Sequence, residues 1–374
     1  MIFNQLTTSI RKTSDTLRSF AGKSINQFLT VRNWLIGYYI VEFEQKGEDR
    51  AQYGEKLLQS LAKELKEEGL SFTNLKMYRQ FFQTYPQIVQ VIPAFLQKNN
   101  LLQIGQSVIG QLQSTEFQEV EIVQSPIAQF NSEEFLVEPQ RLLTELSYTH
   151  LVQLFPIKDR LKRAFYEIEC INGCWSVREL QRQIETLYYE RCGMSLKPEK
   201  LIEKIRNNVE TTDIQDIIKS PFTFEFLGLK AKDVVEESDI ETALLNQIQG
   251  FLLELGYGFC FEARQKRILI DGEYYFCDLI FYHRVLKCHV LIDLKNKKFK
   301  HENISQLNTY VGYYKDNMRQ TGDNEPVGIL LCTDKSDELV RYATAGMDNK
   351  LFVSQYLIEL PKNDEWERFI KQLR

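Results

Sequence analysis

The apolar and polar positions change period along this chain. In the C-terminal third, Ser238 to Leu255 carries Leu244, Leu245, Ile248, Leu252 and Leu255 at helical spacing. Gly256 and Gly258 close that helix. The period then drops to two. Phe259 to Ile270 predicts a strand, Asp271-Gly272 a hairpin turn, and Tyr274 to Tyr282 a second strand, rich in aromatic and β-branched residues. A turn near His283-Arg284 leads into His289 to Lys295 (HVLIDLK), a third strand. Ile304 to Asn317 returns to helical spacing, and Val327 to Cys332 (VGILLC) is a buried strand. The order helix, three strands, helix, strand predicts an α/β core covered on both faces.

Upstream the pattern is mainly helical. Ser24 to Glu44, Tyr53 to Glu67, Leu142 to Phe155, Lys158 to Cys170 and Trp175 to Glu190 each carry an apolar stripe. Ser176 with Glu179 forms a capping box. Ser71 precedes a short helix bearing Lys76 and Arg79. Two readings of it are open: a helix-turn-helix element contacting nucleic acid, or a helical hairpin whose aromatics fill a core. Residues 103–134, rich in Gln, Ser and acids, predict a long loop. Arg178, Arg182 and Arg191 read as solvated helix charges before nucleic-acid contacts. The expected division is a mainly α-helical region over 1–230, for DNA binding or assembly, and an α/β domain over 231–374.

At 374 residues, two or three domains are expected. Apolar content of 43% is ordinary for a globular chain. No apolar run is long enough for a bilayer, and the N-terminus has no secretory pattern. Seven scattered cysteines, no Cys-x-x-Cys and four histidines argue for reduced thiols, a cytoplasmic setting and no zinc. The net charge of −5 speaks against a generally adhesive nucleic-acid binder, yet residues 262–300 hold nine Lys or Arg against five Asp or Glu. A local basic surface on an acidic chain suits an enzyme that meets phosphates at one place.

The candidate chemistry lies in the strands. Asp278 sits mid-strand, and Asp293 and Lys295 share a face of the next strand, opposite Val290, Ile292 and Leu294. A strand that only fills a core has no use for that pair. Two carboxylates can hold a hard divalent cation that activates water, and an adjacent lysine can position that water or steady the transition state. Arg284, Lys297, Lys298 and Lys300 are candidates for tracking a phosphate backbone. Glu241 has two readings. It closes a capping box with Ser238, or it faces the sheet with Leu244, Leu245 and Ile248 and reaches the carboxylates.

The acid followed by acid-x-lysine on successive strands resembles the PD-(D/E)XK nuclease superfamily. Asp278 matches the first acid and Asp293-Leu294-Lys295 the second motif, with Cys277 in place of the usual proline and Asp293 in place of the commoner glutamate. Gln306 to Tyr310 matches the Q-x-x-x-Y helix of some branches. The predicted order of elements is also the superfamily's restriction-endonuclease-like α-β-β-β-α-β core. The match extends to the bacterial YhcG-like family through Asn74-Leu75-x-Met77-x-Arg79-x-Phe81, Trp175-Ser176-x-Arg178-Glu179-Leu180, Arg264-Gln265-Lys266 and Gly328-x-Leu330-Leu331-Cys332. The resemblance implies an N-terminal domain of winged-helix-like type and a nuclease in restriction-like defence or mobile-element processing. It implies Mg²⁺ or Mn²⁺ on Asp278, Asp293 and Glu241, and Lys295 assisting the attacking water. Gln265 and Gln306 are expected to hold water or the scissile phosphate, with Tyr310 supporting the helix that carries Gln306. The expected substrate is DNA. A non-catalytic DNA-binding or assembly protein and an RNA-directed nuclease are the alternatives, and homo-oligomerisation is left open.

Overall fold

A computed structural model describes residues 3–19, 25–46, 56–101, 137–193, 201–202, 218–230 and 236–360. The expected loop over 103–134 lies outside the described residues. The chain divides into two compact units, Met1–Gln181 and Arg182–Arg374.

The first unit is helical, with no β-strand among its described residues. Its long helix, Ile25–Lys46, packs against Phe72–Thr84. Trp34, Tyr38, Phe81, Phe82 and Tyr85 form the buried aromatic centre, and Trp34 Nε1 donates to the Tyr85 carbonyl at 2.8 Å. The two helices meet at Gly37, where an added Cβ would lie 2.0 Å from the Tyr78 carbonyl oxygen. Ser71 caps its helix through the Asn74 N–H. Leu75, Tyr78, Phe81 and Phe82 are buried, so the aromatic face of this element fills the core, as the hairpin reading expects. Ser176 and Glu179 form the expected reciprocal cap.

The second unit is built on one mixed sheet. Its strands are β1 (Phe222–Thr223), β2 (Phe259–Ile270), β3 (Glu273–His283), β4 (Cys288–Leu294), β5 (Val327–Cys332) and β6 (Lys350–Leu357). The order is β1-β6-β5-β4-β3-β2. β2, β3 and β4 are antiparallel neighbours, and β4, β5, β6 and β1 run parallel. Leu279, Phe281, Val290, Ile292, Leu294, Ile329 and Leu331 pack on one face against Ile240, Leu244, Phe251 and Leu255. Ile280, Leu291, Leu330 and Cys332 pack on the other against Ile304, Leu307, Tyr310 and Val311 of the His301–Asn317 helix. This is the predicted two-faced core with a restriction-endonuclease-like arrangement. Asp271 and Gly272 both hold positive φ, as their turn requires.

Two expectations need correction. The helix over 238–255 is two helices, Glu237–Asn246 and Ile248–Leu255, because Gln247 leaves helical geometry (φ −119°, ψ 43°). Arg182 and Arg191 are not solvated charges. Arg191 is buried and paired with Glu254, and Arg182 lies 2.7 Å from Glu225 and 3.3 Å from Glu254. The compact units divide at 181/182. Those arginines, and β1 beside β6, belong to the sheet domain. Burial alone would raise the Glu254 carboxyl, but Arg191, Lys219 and Arg182 together hold it down at about 2.

Candidate active site

β3 and β4 set the site by register. Leu279 opposes Ile292, which brings Asp278 beside Asp293 across the ladder. Neither aspartate is held loosely. Asp278 Oδ2 accepts from the Leu294 N–H at 2.8 Å, and its Oδ1 accepts from Gln265 Nε2 at 2.9 Å. Asp293 is 1% exposed, and its Oδ2 lies 2.8 Å from Lys295 Nζ. The same ammonium donates to the Leu294 carbonyl at 3.1 Å and lies 3.4 Å from Glu237 Oε2. The alternation that placed Asp293 and Lys295 on one face therefore closes a direct ion pair.

Burial, then the negative charge of Asp278, pushes the Asp293 carboxyl up to about 7, with Lys295 opposing. Burial pulls the Lys295 ammonium down, but Asp293 outweighs it and the group ends above its usual range. Lys295 is thus a standing cation beside two acids. A low-dielectric setting makes an unbalanced second carboxylate costly, so this pair favours either a proton or a bound cation.

Glu241 resolves between its two readings. The helix begins two residues earlier than Ser238 and Glu241 would place it. Its reciprocal cap joins Glu236 and Asp239, the Glu236 N–H donating to Asp239 Oδ2 at 2.8 Å. Glu241 is 5% exposed and faces the site. Its Oε2 accepts from Gln265 Nε2 at 2.7 Å, and its Oε1 lies 3.3 Å from Arg264 Nε. Burial raises its carboxyl above the usual range, opposed by the Gln265 hydrogen bond and reinforced by Asp278. The Gln265 amide thus bridges the helix acid and the β3 acid. Gln265 does so from a left-handed backbone, φ +41°, directly across from Asp278. A non-glycine residue in that region is strained, and such strain persists where surroundings fix it.

Gln306 and Tyr310 meet each other, the amide donating to the phenol oxygen. Tyr310 is buried within the core, and Gln306 is exposed. Tyr310, expected to support the helix that carries Gln306, touches the Gln306 side chain itself. Lys297 and Lys300 are exposed beyond the end of β4, while Lys298 pairs with Asp334 at 2.9 Å. Arg284 does not join the site. It follows the far end of β3, six residues from Asp278 or roughly 20 Å along the strand, with its guanidinium 4.4 Å from the centre of the Tyr257 ring. In the first unit Lys76 is exposed, but Arg79 is bound to Glu44 at 2.8 Å and is not a free phosphate contact. Glu237 and Arg264 touch the site without having been singled out. Acidic residues at a helix start are common for dipole reasons, so Glu237 carried no distinguishing signal.

Asp278, Asp293 and Glu241 offer carboxylate oxygens, the donor type a hard divalent ion takes, with Glu241 Oε1 and Asp293 Oδ2 buried and met by the Arg264 and Lys295 cations. Among the described residues no three or more acidic, histidine or cysteine side chains are grouped so as to hold a metal ion. The Gln265 amide occupies the position between Glu241 and Asp278.

Residues 215–374 match the model of the YhcG PDDEXK nuclease domain, and residues 9–117 and 115–191 match the DUF1016 N-terminal domain. The chain is 35% identical over 363 residues to "Putative nuclease YhcG" of Escherichia coli (strain K12), covering 96% of this chain and 91% of that protein. The chain belongs to the YhcG family of PDDEXK nucleases. It is also similar in part to a repair endonuclease from Pyrococcus abyssi (21% identity, 33% of this chain, 48% of that one, TM-score 0.24). The apo form of EndoMS matches to a like extent (16% identity, 34% of this chain, 48% of that one, TM-score 0.24). The chain thus spans about half the length of those two structures, and the family assignment rests on the family models and the E. coli relative. No described helix is long and apolar enough to cross a membrane.

Proposed function

We propose that this protein is an endonuclease that hydrolyses phosphodiester bonds in DNA with a divalent cation, Mg²⁺ or Mn²⁺. The observation that carries the reading is the Asp278–Asp293–Lys295 cluster at the β3/β4 ladder. Asp278 and Asp293 would hold the cation, with Glu241 as a third carboxylate. When bound, the cation supplies a Lewis acid that neutralises charge on the phosphate and activates water. Lys295, kept protonated by Asp293, orients the attacking water and faces the charge that builds on the phosphorus oxygens. Gln265 fixes the mutual position of Glu241 and Asp278, and Gln306 is placed to meet water or phosphate. Lys297 and Lys300, exposed past the end of β4, would contact the backbone of a bound strand. The helical first unit serves recognition or assembly.

The test is cleavage of supercoiled plasmid, linear duplex and RNA by the purified full chain, with Mg²⁺, with Mn²⁺ and with chelator. The expected result is DNA cleavage that the chelator abolishes. Cleavage that persists in chelator, or that acts on RNA alone, would contradict the reading.

A further inference from the structure

The β2–β3 hairpin outruns the sheet. β4 pairs with β3 only from Leu279 onward, so Lys266 to Cys277 forms a two-stranded ribbon beyond the carboxylates. The two faces of this ribbon differ. Ile268 and Cys277 turn inward into the core, and Tyr275 on the same face, itself 37% exposed, sets its ring against Tyr310. The alternate positions turn away: Arg267 opposite Phe276, and Leu269 opposite Tyr274. There Tyr274 is 56% exposed, Leu269 52% and Phe276 48%, and the Arg267 guanidinium lies 4.8 Å from the centre of the Tyr274 ring. Exposing three large apolar side chains side by side is unfavourable in a chain that has only to fold.

We propose that this face is a stacking platform for unpaired nucleotides next to the scissile phosphate. The inference rests on the nuclease reading and narrows its substrate class to nucleic acid with a single-stranded or splayed stretch at the cut. Phe276 and Tyr274 are two and four residues before Asp278, which is about 7 and 13 Å along the strand. That is within reach of bases neighbouring a phosphate held at the carboxylates. Arg267 supplies positive charge on the same face as Phe276 and Tyr274, the mixture of aromatic and basic groups that single strands require. In an intact duplex both faces of each base are covered by neighbours. Exposed rings then find nothing to stack on, and a surface for duplex backbone alone needs only the basic residues. Unstacked bases offer the flat apolar face that matches Tyr274, Phe276 and the Arg267 plane.

The experiment measures the affinity of the full chain, in chelator to stop turnover, for fluorescent DNA forks with splayed arms and for blunt duplex of equal length. Phe276→Ala and Tyr274→Ala are each expected to weaken fork binding by about fivefold or more while changing duplex binding less than twofold. Phe276→Trp is expected to restore fork binding. Equal losses on both DNAs, or no loss on the fork, would overturn the platform and leave the nuclease reading standing. A wild-type chain with no affinity for either DNA would overturn both. Sedimentation velocity covers the remaining occupant. A wild-type dimer that Phe276→Ala converts to monomer would make this face a contact between two copies of the chain and overturn the proposal.

Discussion

At the residue scale the site is a balance of charge against burial. Asp293 lies at 1% exposure with Lys295 2.8 Å away and Asp278 across the ladder. This much was legible because strand alternation has a period of two and leaves no choice of face. Glu241 was not settled, since a capping box and a buried acid look alike in a string. The earlier helix start, with Asp239 in the cap, decides it. Glu241→Gln is expected to lower cleavage steeply and to raise the Mg²⁺ concentration needed for half-maximal rate, with little change in melting temperature. Titrating Mg²⁺ in a cleavage assay checks it. An unchanged metal requirement would remove Glu241 from the donor set. Gln265 was identified by residue type, but its left-handed backbone was invisible, because nothing in an Arg-Gln-Lys run announces positive φ.

At the element scale, strands and turns were read more accurately than helix ends. β2 and β5 fall where the pattern placed them, whereas one helix became two at Gln247. β1, β6 and the Asp337–Thr344 helix went unread. β6 alternates only partly, and its inner face is completed by residues far upstream, so its local pattern is weak. The helix around Lys76 shows the same limit. A cap and an amphipathic stripe predict a helix, but only packing shows that Arg79 is bound to Glu44. Close approach of the Ile25–Lys46 and Phe72–Thr84 helices depends on Gly37. Gly37→Ala forces overpacking at the Tyr78 backbone and is expected to cost about 1–3 kcal/mol. Chemical denaturation of the full chain measures it. A variant as stable as wild type would mean that the helices part without cost.

At the scale of the whole molecule, two compact units are found, dividing at 181/182. Arg191 and Arg182 are ordinary helix charges in sequence and become partners of the buried Glu254 only in three dimensions. A fragment over 231–374 would leave Glu254 without its arginines, and breaking such a buried pair costs about 3–5 kcal/mol. That fragment is expected to be largely unfolded by circular dichroism, while 182–374 folds. Equal folding of the two would show that the arginines are dispensable. The same cluster sets an acid limit. Glu254 is held at about 2, below its ordinary 4.5. Its contribution is complete above about pH 4.5 and is lost as pH falls toward 2. Glu254→Gln should therefore flatten the dependence of stability on pH across that window.

The central claim is that Asp293 acts by charge and not by shape. The direct measurement is Asp293→Asn in the full chain, scored in parallel for DNA cleavage in Mg²⁺ and for DNA binding. The side chain keeps its volume and loses the charge that would hold the cation. Cleavage should fall to background while affinity for DNA stays within a few-fold of wild type. Cleavage at a near wild-type rate would contradict the assignment of the β3/β4 cluster as the catalytic centre.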